Sequence, residues 1–300
     1  MKKIFTFLLC IFTGYLGVQA QQDAQYSFYM FSPLSINPAY AGTRDIKSFM
    51  AIYRHQWAGY DGAPHTAALS FHTAFKEKNG LGVYLENDRI NIHNRITAML
   101  SYSYRIPLGP GKLSMGLQGG LFHQRSNFSE LATEQPDQLF AENTNHLRPN
   151  FGAGLYYYAP TWFLGLSVPH LLNTKIETPT EDSFRYRHYF LSGGIAIRAT
   201  DKLYVKPGFL IKSIPGSAPF SADMSLNFLF KRRFWLGANY RWKDSVDLLA
   251  QWNINKNLRI GYAYDITLSQ VAKINNGSHE VMLGYDFGYD KSRVVTPRYF

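Results

Sequence analysis

The sequence predicts an all-β fold, a transmembrane antiparallel β-barrel of about 14 strands with short periplasmic turns and long extracellular loops. Three observations predict it. Apolar side chains recur at every second position over segments of about 9 to 12 residues, the period of a strand with one apolar face. The segments are even in number, as in bacterial single-chain barrels whose termini both return to the periplasm. The links between them alternate between short and long. Composition agrees: the 300 residues include 21 Tyr, 22 Phe and 24 Gly, and only 17% are charged, which excludes a disordered chain. Past the N-terminus no apolar run of about 18 residues occurs, which excludes a helical span.

Residues 1–20 read as a secretory signal. Lys2 and Lys3 precede an apolar stretch from Ile4 to Gly17, and Val18-Gln19-Ala20 offers small residues for cleavage before Gln21. Cys10 is the single cysteine and leaves with the signal, so disulfide and thiolate chemistry are not expected of the mature chain. Loss of Lys2 and Lys3 lowers the formal charge from +10 to +8. The basic residues are dispersed rather than striped, so nucleic acid is not an expected partner. Lipopolysaccharide phosphates or a secreted protein are the expected counterions.

Residues 21–44 form a separate unit, too aromatic for a linker. Tyr26, Tyr29, Met30, Phe31 and Tyr40 crowd a stretch in which Pro33, Asn37 and Pro38 oppose regular helix or strand pairing. An irregular segment held by its aromatics is expected, either as a plug in the lumen or as a periplasmic docking epitope.

The barrel is expected over residues 45–288. Its strands are read at 45–57, 65–75, 80–88, 94–106, 112–124, 149–158, 161–168, 186–199, 202–213, 219–230, 233–242, 245–254, 257–267 and 279–288. Late strands show the pattern best: Met224, Leu226, Phe228 and Phe230 share one face, and Asp223, Ser225 and Asn227 the other. Short links follow even strands, as at Gly109-Pro110-Gly111 and Thr200-Asp201. Long ones follow most odd strands, at 57–64, 125–148, 169–185 and 268–278, with Lys243-Asp244 a short exception. Trp57, Trp162, Trp242, Tyr102, Tyr104, Tyr285 and Phe287 suit interfacial girdles. Pro207 lacks a donor that a closed barrel needs, and a bulge is expected there. Residues 289–300 are left as a C-terminal tail ending in Tyr299 and Phe300, which would dock a periplasmic partner or fold back on the wall.

The inward face mixes Arg54, Arg105, Arg198, Arg241, Arg259, Lys206 and Lys212 with Glu86, Asp223, Asp247, Asp265 and Asp286. This suits a pore lining or a cross-lumen network equally. A 14-strand lumen exceeds what side chains fill, since about eight strands is the filled size, so it is plugged or it conducts. Motifs for catalysis are weak, and no enzyme, cofactor or metal is expected. No two histidines have zinc-site helical spacing. Ser70, His72 and Glu86 can be drawn as a triad, but polar side chains filling a wet lumen explain them more simply. Gly109-Pro110-Gly111-Lys112 lacks the frame of a phosphate loop.

The stretch Gln25-Tyr26-Ser27-Phe28-Tyr29-Met30-Phe31-Ser32-Pro33, followed by Asn37-Pro38-Ala39-Tyr40-Ala41-Gly42, resembles the opening of the PorP/SprF family of outer-membrane proteins, with Ser32 in place of the usual Asn. The likeness continues at Tyr53-Arg54-His55-Gln56-Trp57, Gly80-Leu81-Gly82, Gly165-Leu166-Ser167-Val168-Pro169, Gly261-Tyr262-Ala263-Tyr264-Asp265 and Gly277-Ser278-His279-Glu280. It implies a barrel of, or accessory to, the type IX secretion system of gliding bacteria. The implied role is non-enzymatic: to help export a large surface adhesin with a C-terminal sorting domain and anchor it, with periplasmic ring or peptidoglycan-binding partners. Partner or plug contacts are expected at Tyr26, Tyr29, Met30, Phe31, Pro33, Asn37, Pro38, Tyr40, Trp57, Tyr299 and Phe300. A porin-like channel for small solutes is the alternative.

Overall fold

The computed structural model describes residues 25–130, 143–176, 183–215 and 218–287. Regular structure begins with β1 (Lys47–His55), β2 (His65–Phe75), β3 (Asn79–Ile90), β4 (His93–Leu108), β5 (Gly111–Ser126), β6 (Thr144–Tyr158) and β7 (Trp162–Val168). A small separate hairpin follows, β8 (Thr174–Ile176) with β9 (Ser183–Arg185). The wall resumes with β10 (Tyr189–Ile195), β11 (Ile197–Thr200), β12 (Leu203–Ile214), β13 (Ala218–Phe230), β14 (Phe234–Arg241), β15 (Ser245–Asn253), β16 (Leu258–Thr267) and β17 (Ser278–Phe287). β10 and β11 are two pieces of one wall strand, so the wall has 14 strands.

Every wall strand pairs antiparallel with its chain neighbour, and β1 pairs with β17 from Lys47↔Phe287 to His55↔His279, which closes the cylinder. Closure removes the unpaired edges that an open sheet would expose to lipid. The two faces have opposite chemistry. On β13, Asp223, Ser225 and Asn227 are buried while Met224 and Leu226 are exposed. On β15, Asp247, Leu249 and Gln251 are buried while Leu248 and Trp252 are exposed. Apolar side chains therefore face outward as a lipid-contacting band, and polar ones face in. Trp162, Trp242, Tyr102, Tyr104, Tyr285 and Phe287 stand exposed on the outside.

Turns at one rim are tight. Lys76-Glu77 and Lys231-Arg232 take positive φ at both positions, the backbone hand that matches the twist of a hairpin. At the other rim, four links carry the length, at 56–64, 127–143, 169–188 and 268–277, and three are short. Asn91-Ile92 is one of these, in addition to the anticipated turn at Lys243-Asp244. Short turns mark the periplasmic rim of outer-membrane barrels.

Pro207 sits in β12 without a bulge. Its neighbours keep one register, with Gly194↔Gly208 on one side and Ile197↔Val205 on the other. The ladder to β12 opens between Gly194 and Ile197, opposite Pro207, while on the other side Ala196 N continues the β7 ladder by donating to Thr161 O at 2.6 Å. The missing donor is thus met by a gap in the neighbouring strand. Bulges occur elsewhere, between Arg198 and Thr200 and between Lys212 and Ile214.

Candidate functional site

The segment from Gln25 to Asp45 lies inside the barrel. Two prolines shape it: Pro33 and Pro38 each open a 3-10 turn, where a missing N–H costs nothing. Asn37 caps the second turn, accepting from Ala39 N at 2.9 Å, and its Nδ2 donates to Leu155 O of the wall at 3.0 Å. The aromatics supply the packing. Tyr26 and Phe28 join Met50, Tyr84, Met99 and Met282 in one buried cluster, and Phe28 is fully buried. Phe31 stacks edge-on against Phe28 and Trp235, with Lys206 Nζ 5.8 Å above its ring. Tyr40 packs edge-on against His72 and Tyr156.

Wall glycines make room for this segment. A Cβ on Gly80 would collide with the Ala41 carbonyl, one on Gly116 with the Ala39 backbone, and one on Gly154 with Asn37 Oδ1. A Cβ on Gly208 would lie 2.7 Å from Met30 Cε, and one on Gly261 2.8 Å from Phe28 Cζ. Backbone carbonyls of the segment are taken by wall hydroxyls: Ser167, Ser114 and Ser103 donate to Ile36, Ala39 and Ala41 at 2.6, 2.6 and 2.7 Å.

Charge fixes its two ends. Near the long-loop rim, Glu280 accepts from Ser27 N at 2.8 Å and Phe28 N at 3.0 Å, and pairs with Arg54 at 3.0 Å. Arg54 also pairs with Asp265, which accepts from Ser27 Oγ at 2.6 Å. Gln25 donates to Asp223 at 2.6 Å, and Tyr26 donates to Glu86 at 2.6 Å. Burial first, and the Glu86 charge second, push the Tyr26 phenol well above its ordinary pKa. At the short-turn rim Arg44 forks onto Asp286 at 2.9 and 2.7 Å, and Arg259 reaches the same carboxylate at 2.6 Å. Arg105 donates to Gly42 O and Glu77 O, each at 2.7 Å, and pairs with Asp45.

Among the residues singled out in the sequence, Tyr26, Tyr29, Met30, Asn37, Pro38 and Tyr40 are buried here, and Phe31 and Pro33 partly so. Trp57 lies apart, in the outer loop 56–64, with positive φ and its N–H 3.2 Å from Ser278 Oγ. Tyr299 and Phe300, like the 1–20 signal reading, fall outside the described residues. Arg198 qualifies the inward set: it keeps the inward phase, opposite buried Tyr204, but it stands at the short-turn rim, where its side chain is 60% exposed and pairs with Asp201. Ser70, His72 and Glu86 do face the lumen, yet they form no relay. His72 Nδ1 is without a hydrogen bond, and Glu86 is held by Tyr26 and Tyr84. Among the described residues no His, Cys, Asp and Glu cluster is arranged for a metal. A cleft remains on the outer side of the segment, lined by Tyr26, Tyr29, Glu86, Pro169, His170 and Lys212.

Sequence reasoning missed Ser27, Arg44 and Glu280 as members of the site, and missed the glycine seats. Glu280 had one available signal, a carboxylate on the inward phase of the last strand.

A closed, 14-strand barrel with an apolar outer band and an occupied polar lumen is an outer-membrane protein. The chain belongs to the family described as type IX secretion system membrane protein PorP/SprF, whose model matches residues 18–285. No curated protein matches it. Among solved structures it is similar to the CymD monoaromatic hydrocarbon channel, at 11% identity and a TM-score of 0.51, over 91% of this chain and 96% of that one. The P. putida toluene transporter TodX gives 12% identity and a TM-score of 0.50, over 89% and 95%. Omp33 of Acinetobacter baumannii gives 8% and 0.47, over 82% and 100%. These similarities concern the fold alone.

Proposed function

We propose that this barrel acts in type IX secretion as a closed, non-enzymatic scaffold that helps export a large surface adhesin and holds it at the cell surface. Its outer loops at 125–148 and 169–185 grip the client's C-terminal sorting domain, and the short-turn rim and the 289–300 tail meet periplasmic ring or peptidoglycan-binding components. The observation that carries this reading is the occupied lumen. A barrel whose interior is bonded from both ends to its own residues 25–45 is built to stay shut, which leaves its surfaces to do the work. In this reading residues 1–20 are a cleaved signal and 21–44 a resident plug.

The test is affinity purification of the tagged chain from detergent-solubilised outer membranes, with mass spectrometry of what co-purifies. A large secreted protein together with secretion components is expected, and deletion within either loop releases that protein into the medium while the barrel still assembles. Recovery of the barrel alone, with surface display unchanged by loop deletion, would overturn the reading.

The second reading, a channel for small solutes, draws on the cleft beside Tyr26 and His170. Planar-bilayer recording separates the two. A silent wild type that conducts once residues 21–44 are removed supports the plug, and steady wild-type conductance supports the channel.

A further inference from the structure

The outward face carries a feature that neither the lumen nor the loops use. At the long-loop end, His55 lies opposite His65 on one side and His279 on the other, and His65 lies opposite Arg89. Residues directly opposite in an antiparallel ladder share a face, so Arg89, His65, His55 and His279 form one row across β3, β2, β1 and β17. That face is the outer one, because the chain neighbours Asp88, Thr66, Arg54 and Glu280 are buried in the lumen.

The row is organised. The His55 and His65 rings stack with centroids 4.3 Å apart. Tyr53 Oη lies 3.2 Å from His65 Nδ1, and Tyr262 Oη lies 2.7 Å from His279 Nδ1. One ring nitrogen of each flanking imidazole is thereby engaged, which leaves the other for an external partner. Stacked rings do not converge on a point, so the row is unsuited to chelating a metal.

Its height selects the partner. One outward position below, about 7 Å along the strands, stand exposed Tyr53 and Val281, and below them Leu69, Leu85 and Leu283. The row therefore borders the lipid-facing band at the level of the outer-leaflet headgroups. Among the described residues no carboxylate shares it. Asp88 and Glu280 point inward and are engaged by Arg95 and Arg54, and Asp61 belongs to the adjoining loop. We propose that this row binds the phosphate groups of an outer-leaflet glycolipid of lipid A type. The guanidinium supplies a fixed charge and the imidazoles supply N–H donors. The proposal is independent of whether the barrel anchors an adhesin.

The full chain, purified in detergent, is titrated with diphosphorylated lipid A, with the same lipid dephosphorylated, and with inorganic phosphate. The wild type is expected to bind the phosphorylated lipid, and Arg89→Gln combined with His55→Asn, His65→Asn and His279→Asn is expected to weaken that binding roughly tenfold or more. Heat-modifiable electrophoretic mobility reports assembly, and Arg89→Gln alone serves if the fourfold variant fails to assemble. Lys243→Gln, on a different outer turn, is expected to bind as the wild type does. Unchanged affinity in an assembled row variant would overturn the proposal. So would equal binding of the dephosphorylated lipid, or displacement of the lipid by an equal concentration of inorganic phosphate.

Discussion

Glu280 receives the backbone N–H groups of both Ser27 and Phe28, residues more than 250 positions earlier in the chain, at 2.8 and 3.0 Å. The carboxylate comes from the strand that closes the barrel, and the amides from the segment inside it. Filling the lumen and sealing the wall are therefore coupled through one side chain. The same carboxylate holds Arg54 of β1, the strand on the other side of the seam.

Glu280→Ala is expected to lower stability by about 3 to 5 kcal/mol, the cost of breaking a buried ion pair by removing one partner. Arg54 keeps Asp265, which sets the lower end of that range. In planar bilayers the variant should flicker where the wild type is silent, because the segment loses the two backbone bonds at Ser27 and Phe28 and keeps only the side-chain contacts of its outer end. Silent recordings together with an unchanged denaturation midpoint would show that Glu280 does not hold the segment.

Gly80→Ala tests the seats. Its Cβ would meet the Ala41 carbonyl and Ser103 Oγ, and a close-packed interior tolerates such insertion poorly, at about 1 to 3 kcal/mol. Gly119→Ala is the control, since its Cβ would meet only the Phe151 ring at 3.4 Å. Hydrogen exchange of residues 39–43 should rise in the first variant and stay unchanged in the second.

How much of this was legible in the sequence depends on range. The alternation at Asp223 to Phe230 reports a wall with lipid on one side, and each strand states it alone. The prolines and aromatics of 25–45 likewise mark an irregular packed segment locally. Its partners carry no local mark: Glu280, Asp265 and Asp286 read as any inward carboxylates, and Gly80 or Gly116 as any small lumen residue. What they touch is set by barrel closure, which links residues more than 200 positions apart. Arg198 misled because alternation gives a side chain's phase but not its height, and this one ends at the rim beside Asp201. Pro207 misled because its compensation lies on another strand. The break at Ala196 answers a proline on the adjacent strand, and a single strand's pattern does not contain its neighbour's.

Tyr26 gives a pH dependence. Its folded pKa is raised, so the folded state keeps the phenolic proton after the unfolded chain has begun to lose it near pH 10. Stability from this group is complete below pH 10 and declines as pH rises through the folded value. Tyr26→Phe should flatten the fall in stability above pH 10, while at pH 7 it forfeits the bond to Glu86, about 1.5 to 3 kcal/mol. Chemical denaturation between pH 8 and 11.5 measures both. Identical slopes for the two proteins would exclude Tyr26 as the titrating group.

Arg105 links the segment to the wall at the short-turn rim. It is 1% exposed and reaches Gly42 O, Asp45, Glu77 O and Asn79 O. Its planar fork can serve four acceptors around the point where the segment becomes β1, whereas a lysine ammonium has three donors on one atom. Arg105→Lys should therefore behave as a loss rather than a conservative change. Hydrogen exchange is expected to rise at residues 42–45 and at the 76–79 turn together, since both hang from one guanidinium. The outer contacts at Ser27 and Phe28 should keep their protection, because the segment is held separately at its other end. If residues 42–45 loosen while the turn does not, the two are not joined through Arg105, and the rim is held by the Arg44 fork on Asp286 instead.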